Sequence, residues 1–219
     1  MTSTVAPLRD AHVSAGATRS LRVPWRRLVG LVAMIGLPTA LGVVARHPDA
    51  RPATTMLFHY SPDRLVHGRV WTLVLSGLLP PKVGSVGPTT IAMTLILVPY
   101  AVLRGAWRAA GRFLGGHVVA TLAVAALVLP GAALGWQFAT DVARAPDYGV
   151  SAGLAGVAGA MGVVLWRHRG PIAATALLAV VFGFFVYQLV ATSSLGHHLS
   201  ESEHVAAAAV GVILEWRSA

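Results

Sequence analysis

A serine and a histidine stand out in this sequence because each lies at the beginning of a long apolar stretch. Ser151 belongs to the segment from Asp147 to Gly153 (DYGVSAG), and His204 is followed directly by the run from Val205 to Val210. A polar group within an apolar helix is costly to keep unless it has a partner or a function. A serine hydroxyl becomes an effective nucleophile when a base such as histidine accepts its proton. This pair of residues would therefore support acyl transfer.

The two residues are predicted to lie at similar depths in two helices that run in the same direction. Arginines follow both helices, Arg167 after the first and Arg217 after the second. At about 1.5 Å per residue, Ser151 lies roughly 24 Å from Arg167, and His204 lies roughly 20 Å from Arg217. Helix tilt and the reach of arginine side chains absorb this difference. Ser151 and His204 would meet if the two helices are neighbours.

Small residues favour close packing of these two helices. Glycine or alanine occupies positions 149, 152, 153, 155, 156, 159, 160 and 162 of the first helix, and positions 206 to 209 and 211 of the second. Small faces allow membrane helices to approach each other closely. The alternative is that the helices only pack, with Ser151 bonded to a carbonyl of its own helix and His204 at the membrane interface.

The composition indicates that lipid covers much of the surface. The chain has 219 residues, of which 55% are hydrophobic and 11% charged, and its mean hydropathy is +0.68. A soluble domain of this size cannot bury so much apolar surface. The predicted fold is therefore all-α, a polytopic bundle of transmembrane helices. The absence of cysteine excludes disulfides and thiolate metal sites.

Uncharged runs long enough to approach the roughly 20 residues of a membrane span predict six crossings. They cover residues 28–45, 89–103, 113–129, 149–166, 172–195 and 205–214, and the last must begin near Glu203 to reach across. The run from Val70 to Leu79 is short and stops at two prolines, so we expect an interfacial or re-entrant helix there. Residues 1–27 are predicted to be a disordered basic cytoplasmic tail, and residues 28–217 a single six-helix transmembrane domain.

The charges predict the orientation, because Lys and Arg collect in cytoplasmic loops. With both termini in the cytoplasm, the inner segments carry eleven arginines against two acidic residues, and the outer segments carry six basic against six acidic residues. The whole net charge of +9 then lies on the inner side. The positive charge is thus explained by topology, and no nucleic-acid partner is expected, since a basic stripe with interleaved aromatics is missing.

A group of histidines and glutamates lies before the last span, at His197, His198, Glu201, Glu203 and His204. Such side chains can bind zinc, but their spacing matches no zinc-protease pattern. We expect a solvated loop with no metal, and no cofactor anywhere in the chain. His59, His67 and His117 are predicted to be hydrogen-bonded interface residues. Tyr187 is predicted to face the bundle, where it would contact a substrate or another helix.

Three short segments together resemble the rhomboid family of intramembrane serine proteases. They are Gly149-Val150-Ser151 before a Gly/Ala-rich span, His204 with Gly211 seven residues later, and Gly68-Arg69-Val70-Trp71-Thr72-Leu73 before the short helix. The resemblance implies a six-helix fold that cleaves transmembrane-helix substrates within the lipid bilayer, near its outer face. It implies Ser151 and His204 as catalytic residues, Gly149, Val150 and Ala152 as supports for the oxyanion, and Trp71 and Tyr187 as substrate-gate residues.

The sequence also departs from the family pattern. Ala152 stands where rhomboid proteases usually have glycine after the nucleophile, and Ala155 stands where an aromatic often packs on the histidine. The second span lacks the His-x-x-x-Asn pair that helps to hold the oxyanion, and Thr72 replaces the arginine after the tryptophan. The alternative interpretation is a catalytically inactive rhomboid-like protein that binds or chaperones other membrane proteins. The DYGVS motif resembles divergent rhomboid-like proteins of high-GC bacteria, so the expected location is a bacterial inner membrane.

Reporter fusions test the predicted topology. Fusions near Arg108 and Arg169 should report a cytoplasmic location, and fusions near Arg144 and Glu201 an outer one, because positive charge collects on the inner side. An outside report at Arg108 would contradict the six-span arrangement, since it would move the arginine clusters to the outer face.

Overall fold

The computed structural model describes residues 25–80, 85–191 and 195–218, and within these ranges the chain is helical without a strand. The predicted basic tail lies almost entirely outside the described residues. The elements are α1 (Trp25–Val44), α2 (Arg51–Phe58), α3 (Pro62–Val66), α4 (Thr72–Leu75), the 3-10 helix η1 (Ser76–Leu78), α5 (Val86–Arg104), α6 (Ala106–Ala133), α7 (Gln137–Arg144), α8 (Val150–Arg169), α9 (Pro171–Ala191) and α10 (Leu195–Arg217). The all-helical prediction is confirmed for this part of the chain.

Four of the described helices are long and apolar enough to cross a membrane, namely α5, α6, α8 and α9. This finding is consistent with an integral membrane protein. The apolar part of α1 that the structure describes covers 16 residues, from Val29 to Val44, and α10 carries several charged residues along its 23 residues. The predicted short helix before Pro80 is confirmed, since α4 and η1 together are far too short to span.

Several predicted boundaries are wrong. The last helix begins at Leu195 and not near Glu203, so the predicted solvated loop around Glu201 and Glu203 is instead part of a helix. The third predicted span, 113–129, is the longer helix α6 of 28 residues. Helices α2, α3 and α7 were not expected, because each is short and has no long apolar run.

Tight glycine turns connect two pairs of long helices. Gly105, between α5 and α6, has φ +96°, and Gly170, between α8 and α9, has φ +87°. These backbone angles are rarely adopted by residues with a side chain. Pro171 then begins α9, where its missing N–H is no loss. The short turns make each pair run antiparallel.

Helix α8 occupies the centre of the bundle. It packs against α5, α6, α9 and α10, and 72% of its apolar window is buried, compared with 6% for α9. The contact with α10 depends on the absence of side chains, because a Cβ atom on Gly211 would overlap the carbonyl of Gly156, and one on Gly159 would overlap the carbonyl of Ala208. Backbone therefore lies against backbone, as small residues permit in membrane helices.

A buried carboxylate holds the other end of α10. Glu215 is fully buried and forms ion pairs with Arg104 at 2.7 Å and Arg112 at 2.9 Å. Tyr100 donates a third contact, 2.5 Å from Oε2 of Glu215. A carboxylate that lost these partners would be left buried and unpaired, which typically costs about 3–5 kcal/mol. Helices α5, α6 and α10 are thus fixed to each other at the end opposite His204.

Because α8 and α10 are in close contact at Gly211, a methyl group at this position should destabilise the folded protein. Gly211→Ala should lower stability by about 1–3 kcal/mol or more, because no flexible side chain can yield to the added atom. Thermal unfolding in detergent micelles measures this effect.

Gly183→Ala is the matched control, because the same change in α9 meets no atom within 4 Å and exchanges glycine for a better helix former. Equal unfolding midpoints for the two variants would contradict the proposed tight contact.

Candidate active site

The predicted contact between Ser151 and His204 is present. Ser151 is the second residue of α8, and its Oγ lies 2.6 Å from Nε2 of His204 on α10. The His204 side chain is buried, whereas Ser151 is partly accessible. A distance of this length is that of a strong hydrogen bond. The contact has the geometry that a nucleophile and its base require.

The second ring nitrogen of His204 also has a partner. Nδ1 lies 3.0 Å from Oε2 of Glu201, one helical turn earlier on α10. Glu201 is 8% exposed and His204 6% exposed, so this pair is shielded from water. Glu201 was expected in a loop, and that error hid the contact with His204. With the helix started at Leu195, the spacing of three residues places both side chains on one face.

An aromatic ring from α9 covers the imidazole. The Phe185 and His204 ring centroids are 4.5 Å apart, with an angle of 32° between the rings. Ala155, at the position where the rhomboid pattern often has an aromatic, is buried in an alanine-rich cluster that includes Ala207 and against which Phe185 packs. Phe185 therefore provides from α9 the packing that position 155 does not provide from α8.

The start of α8 offers backbone donors beside Ser151. The first helical hydrogen bond at this end runs from the N–H of Gly153 to the carbonyl of Gly149, so the N–H groups of Val150, Ser151 and Ala152 have no partner in the helix ladder. These groups and the helix dipole favour negative charge. The side chains of Val150 and Ala152 are buried, so their contribution to an oxyanion site would come from the backbone.

Gly149 was predicted to support the oxyanion. Its N–H donates to the carbonyl of Ser76 at 2.9 Å, so it is already engaged. A Cβ atom at this position would overlap the ring of His117. Gly149 therefore supports the site by leaving room for His117, whose Nε2 lies 3.0 Å from Oγ of Ser76 in a fully buried contact. This agrees with the prediction that His117 is a hydrogen-bonded interface residue.

A second group of buried polar residues lies behind the site. Glu203 is fully buried, lies near the Asp147 carboxylate, and accepts a hydrogen bond from Thr121 at 3.3 Å. Burial raises the pKa of the Tyr60 phenol, and the neighbouring Glu203 and Asp147 add to that shift. Tyr60 and Asp147 also form a two-way backbone bridge, with N···O distances of 3.1 and 2.9 Å. The first loop is thereby tied to the start of α8.

An apolar groove of about 290 Å³ opens next to Ser151 between α5 and α9. Ala92 and Ile96 form its α5 side, and Val180 and Phe184 its α9 side, with Ser151 at one end. Its lining is almost entirely apolar, as expected for a site that receives a hydrophobic chain.

The two predicted gate residues do not line this groove. Tyr187 is 67% exposed on α9, so the prediction that it faces the bundle is wrong. Apolar residues lie on all sides of α9, and its sequence therefore gave no clear indication of which face is buried. Trp71 is 49% exposed at the beginning of α4.

No three histidine or acidic side chains come close enough to hold a metal ion in the described part of the chain. The side chain of His197, one of the residues considered for zinc, lies outside the described residues.

Comparisons with protein-family models, with curated proteins and with solved structures find no match to this chain.

His59 makes the anchoring of the first loop sensitive to pH. Burial lowers the pKa of His59 to about 4, and the Arg64 guanidinium adds to this shift, with a smaller lowering by Arg69 and an opposing effect of Asp147. The imidazole is therefore neutral in the folded protein, while the unfolded chain binds a proton near its ordinary pKa of 6.5. The stability that the folded protein gains from keeping His59 neutral is fully present above about pH 6.5, and it is lost as the pH falls toward 4.

We expect acidification from pH 7 to pH 4.5 to lower the unfolding midpoint of the wild type more than that of His59→Gln. Because His59 is only half-buried, solvent screens the effect, and the difference should be about 2–4 °C, which corresponds to ~1 kcal/mol in a chain of this size. His67→Gln is the control, since His67 lies exposed on the same segment and should keep the wild-type response. A His59→Gln variant with the full wild-type response would contradict the assignment.

Proposed function

We propose that this chain is a rhomboid-like intramembrane serine peptidase that cleaves transmembrane substrates near the outer membrane face. The observation that carries the proposal is the 2.6 Å contact between Ser151 Oγ and His204 Nε2 at the end of an apolar groove. The pair adjoins both backbone N–H groups that lie outside the helix ladder and a surface suited to a hydrophobic chain. A packing role alone would not require the base, the donors and the groove to meet at one serine.

The groove supports sideways access of a substrate helix between α5 and α9. Direct packing between these two helices is slight compared with the packing of each against α8. Helix α9 is also the least buried of the four candidate spans. A substrate that reached the groove from lipid would meet Ser151 without crossing a polar surface.

The positions of the atoms support a reaction by acyl transfer. Ser151 Oγ attacks the carbonyl carbon of the scissile peptide while its proton passes to Nε2 of His204. The oxyanion that forms is stabilised by N–H groups at the start of α8. His204 then gives the proton to the leaving nitrogen as the C–N bond breaks. Water then attacks the acyl carbon while its proton passes to Nε2 of His204, the bond between that carbon and Oγ breaks, and His204 returns the proton to Ser151 Oγ.

The oxyanion site has fewer hydrogen-bond donors than the rhomboid pattern provides. The second span has neither the histidine nor the asparagine of the family pair, and the N–H of Gly149 is engaged with Ser76. Loss of one oxyanion donor costs about 100- to 1000-fold in a soluble serine protease. We expect activity below that of a typical rhomboid protease by a similar factor.

We further propose six membrane crossings with both termini in the cytoplasm of a bacterial cell, so that α1 and α10 cross in addition to the four apolar helices. The polar residues of α10 support this arrangement, because Glu201, Glu203 and Glu215 are all buried inside the protein. A helix whose charges face protein partners can cross lipid at a lower cost than its composition suggests.

The competing function is a non-catalytic protein that holds the helices of other membrane proteins. The same apolar groove and small-residue faces favour it. The two functions differ in whether Ser151 reacts.

Reaction with a fluorophosphonate probe in micelles or nanodiscs separates the two functions. The wild type should be labelled at Ser151, and both Ser151→Ala and His204→Ala should lose the label, because the first removes the nucleophile and the second its base. Ser202→Ala is the matched control, since the Ser202 hydroxyl donates to the His198 carbonyl of its own helix and this variant should label normally. A folded wild type that stays unlabelled would exclude the peptidase and leave the helix-binding function.

A further inference from the structure

The carboxylate of Glu201 has one ion-pair partner among the described residues, and that partner is His204. Every other buried glutamate contacts a different element of the fold, since Glu203 contacts Thr121 of α6 and Glu215 contacts the arginines. A buried carboxylate is costly to keep with a neutral partner alone. The Glu201 carboxylate lies against Nδ1 of His204, the ring nitrogen that does not face Ser151.

We propose that Glu201 is a positioning residue that converts the Ser151 and His204 pair into a Ser-His-Glu triad. This inference rests on the proposed function. An ionised carboxylate only accepts hydrogen bonds, so the 3.0 Å contact requires a hydrogen on Nδ1 of His204. Nε2 is then the acceptor in the neutral ring, and the Ser151 hydroxyl donates to it over 2.6 Å. Glu201 thus selects the one tautomer in which His204 can act as a base toward Ser151.

The same contact acts during the reaction. When the proton of Ser151 moves to Nε2, as Oγ bonds to the carbonyl carbon, the ring becomes a cation with hydrogens on both nitrogens. The carboxylate of Glu201 lies against that cation, in a place shielded from water, where it stabilises the charge. The proton on Nε2 then leaves with the departing nitrogen, and the hydrogen on Nδ1 stays in place throughout.

The position of Glu201 is fixed by its surroundings. Leu199, two residues earlier, is buried against Val124 of α6 and Val142 of α7, so the first turns of α10 are held in the bundle. Glu203, two residues later, points to a separate cluster with Thr121 and Asp147. Two neighbouring glutamates of one helix therefore serve different groups of residues.

The test compares Glu201→Gln, which keeps the shape and removes the charge, with Glu201→Asp, which keeps the carboxylate. Glu203→Gln is the matched control, because it makes the same change to a buried glutamate whose side chain accepts a hydrogen bond from Thr121 of α6. The first readout is the ¹⁵N NMR signal of the His204 ring in nanodiscs, assigned by comparison with His204→Gln. The second is the rate at which the fluorophosphonate probe labels Ser151.

We expect His204 to carry its hydrogen on Nδ1 in the wild type, in Glu203→Gln and in Ser151→Ala. Glu201→Gln should yield a mixture of tautomers, and Glu201→Asp should recover the wild-type tautomer in part. The labelling rate of Glu201→Gln should fall at least about tenfold, and by as much as about 10⁴-fold, the loss seen when the corresponding residue of a soluble triad becomes an amide. Glu201→Asp should regain part of the rate.

The two readouts distinguish failure of this inference from failure of the proposed function. If Ser151 is labelled and Glu201→Gln matches the wild type in both rate and tautomer, the triad is wrong and the peptidase stands. If the folded wild type is not labelled but Glu201→Gln alters the tautomer, Glu201 positions His204 and the peptidase is wrong. A wild-type ring with its hydrogen on Nε2 would overturn the triad directly, even if Glu201→Gln failed to fold.

Discussion

The carbonyl of Gly156 on α8 occupies the space that a side chain at position 211 of α10 would need, and the carbonyl of Ala208 does the same opposite Gly159. This contact of two backbones sets the distance between the helices that carry Ser151 and His204. The hydrogen bond between the two side chains spans 2.6 Å, so a small separation of the helices would break it. The glycines and alanines in the middle of the bundle thus set the geometry of the Ser151 and His204 pair.

The polar residues of α10 are distributed among three partners along its length. His204, with Glu201 on its other ring nitrogen, contacts Ser151 of α8, Glu203 contacts α6, and Glu215 contacts the two arginines at the far end. Each of these contacts fixes the rotation of α10 about its own axis, because a turned helix would leave at least one carboxylate buried without a partner. Polar contacts therefore set the orientation of α10, while small residues set its distance from α8.

Much of the fold and part of the site could be predicted from the sequence. Long apolar runs locate α5, α6, α8 and α9, since the length of such a run is a strong signal. The contact between Ser151 and His204 was expected from equal depth, from matching small faces and from the resemblance of the Gly-x-Ser and His segments to the rhomboid pattern. The beginning of α10 was not predictable in this way, because its first turns are polar, and the partners of that polarity lie on distant helices. Glu201 was missed for this reason alone.

Phe185 and Gly149 show a second limit of prediction from sequence. Helix α9 is apolar on every side, so no pattern distinguished the ring that covers His204 from the Tyr187 ring that faces outward. The requirement for glycine at position 149 comes from His117, which lies 32 residues away in the chain. Long-range contacts of this kind become visible only when the helices are in place.

The Phe185 ring belongs to the helix that forms one wall of the groove. Val180 and Phe184 line the groove on the same helix that carries the ring onto the imidazole. Any displacement of α9 that widened the groove by moving away from α8 and α10 would also draw the ring from His204. The width of the groove and the packing of the His204 ring therefore both depend on the position of α9.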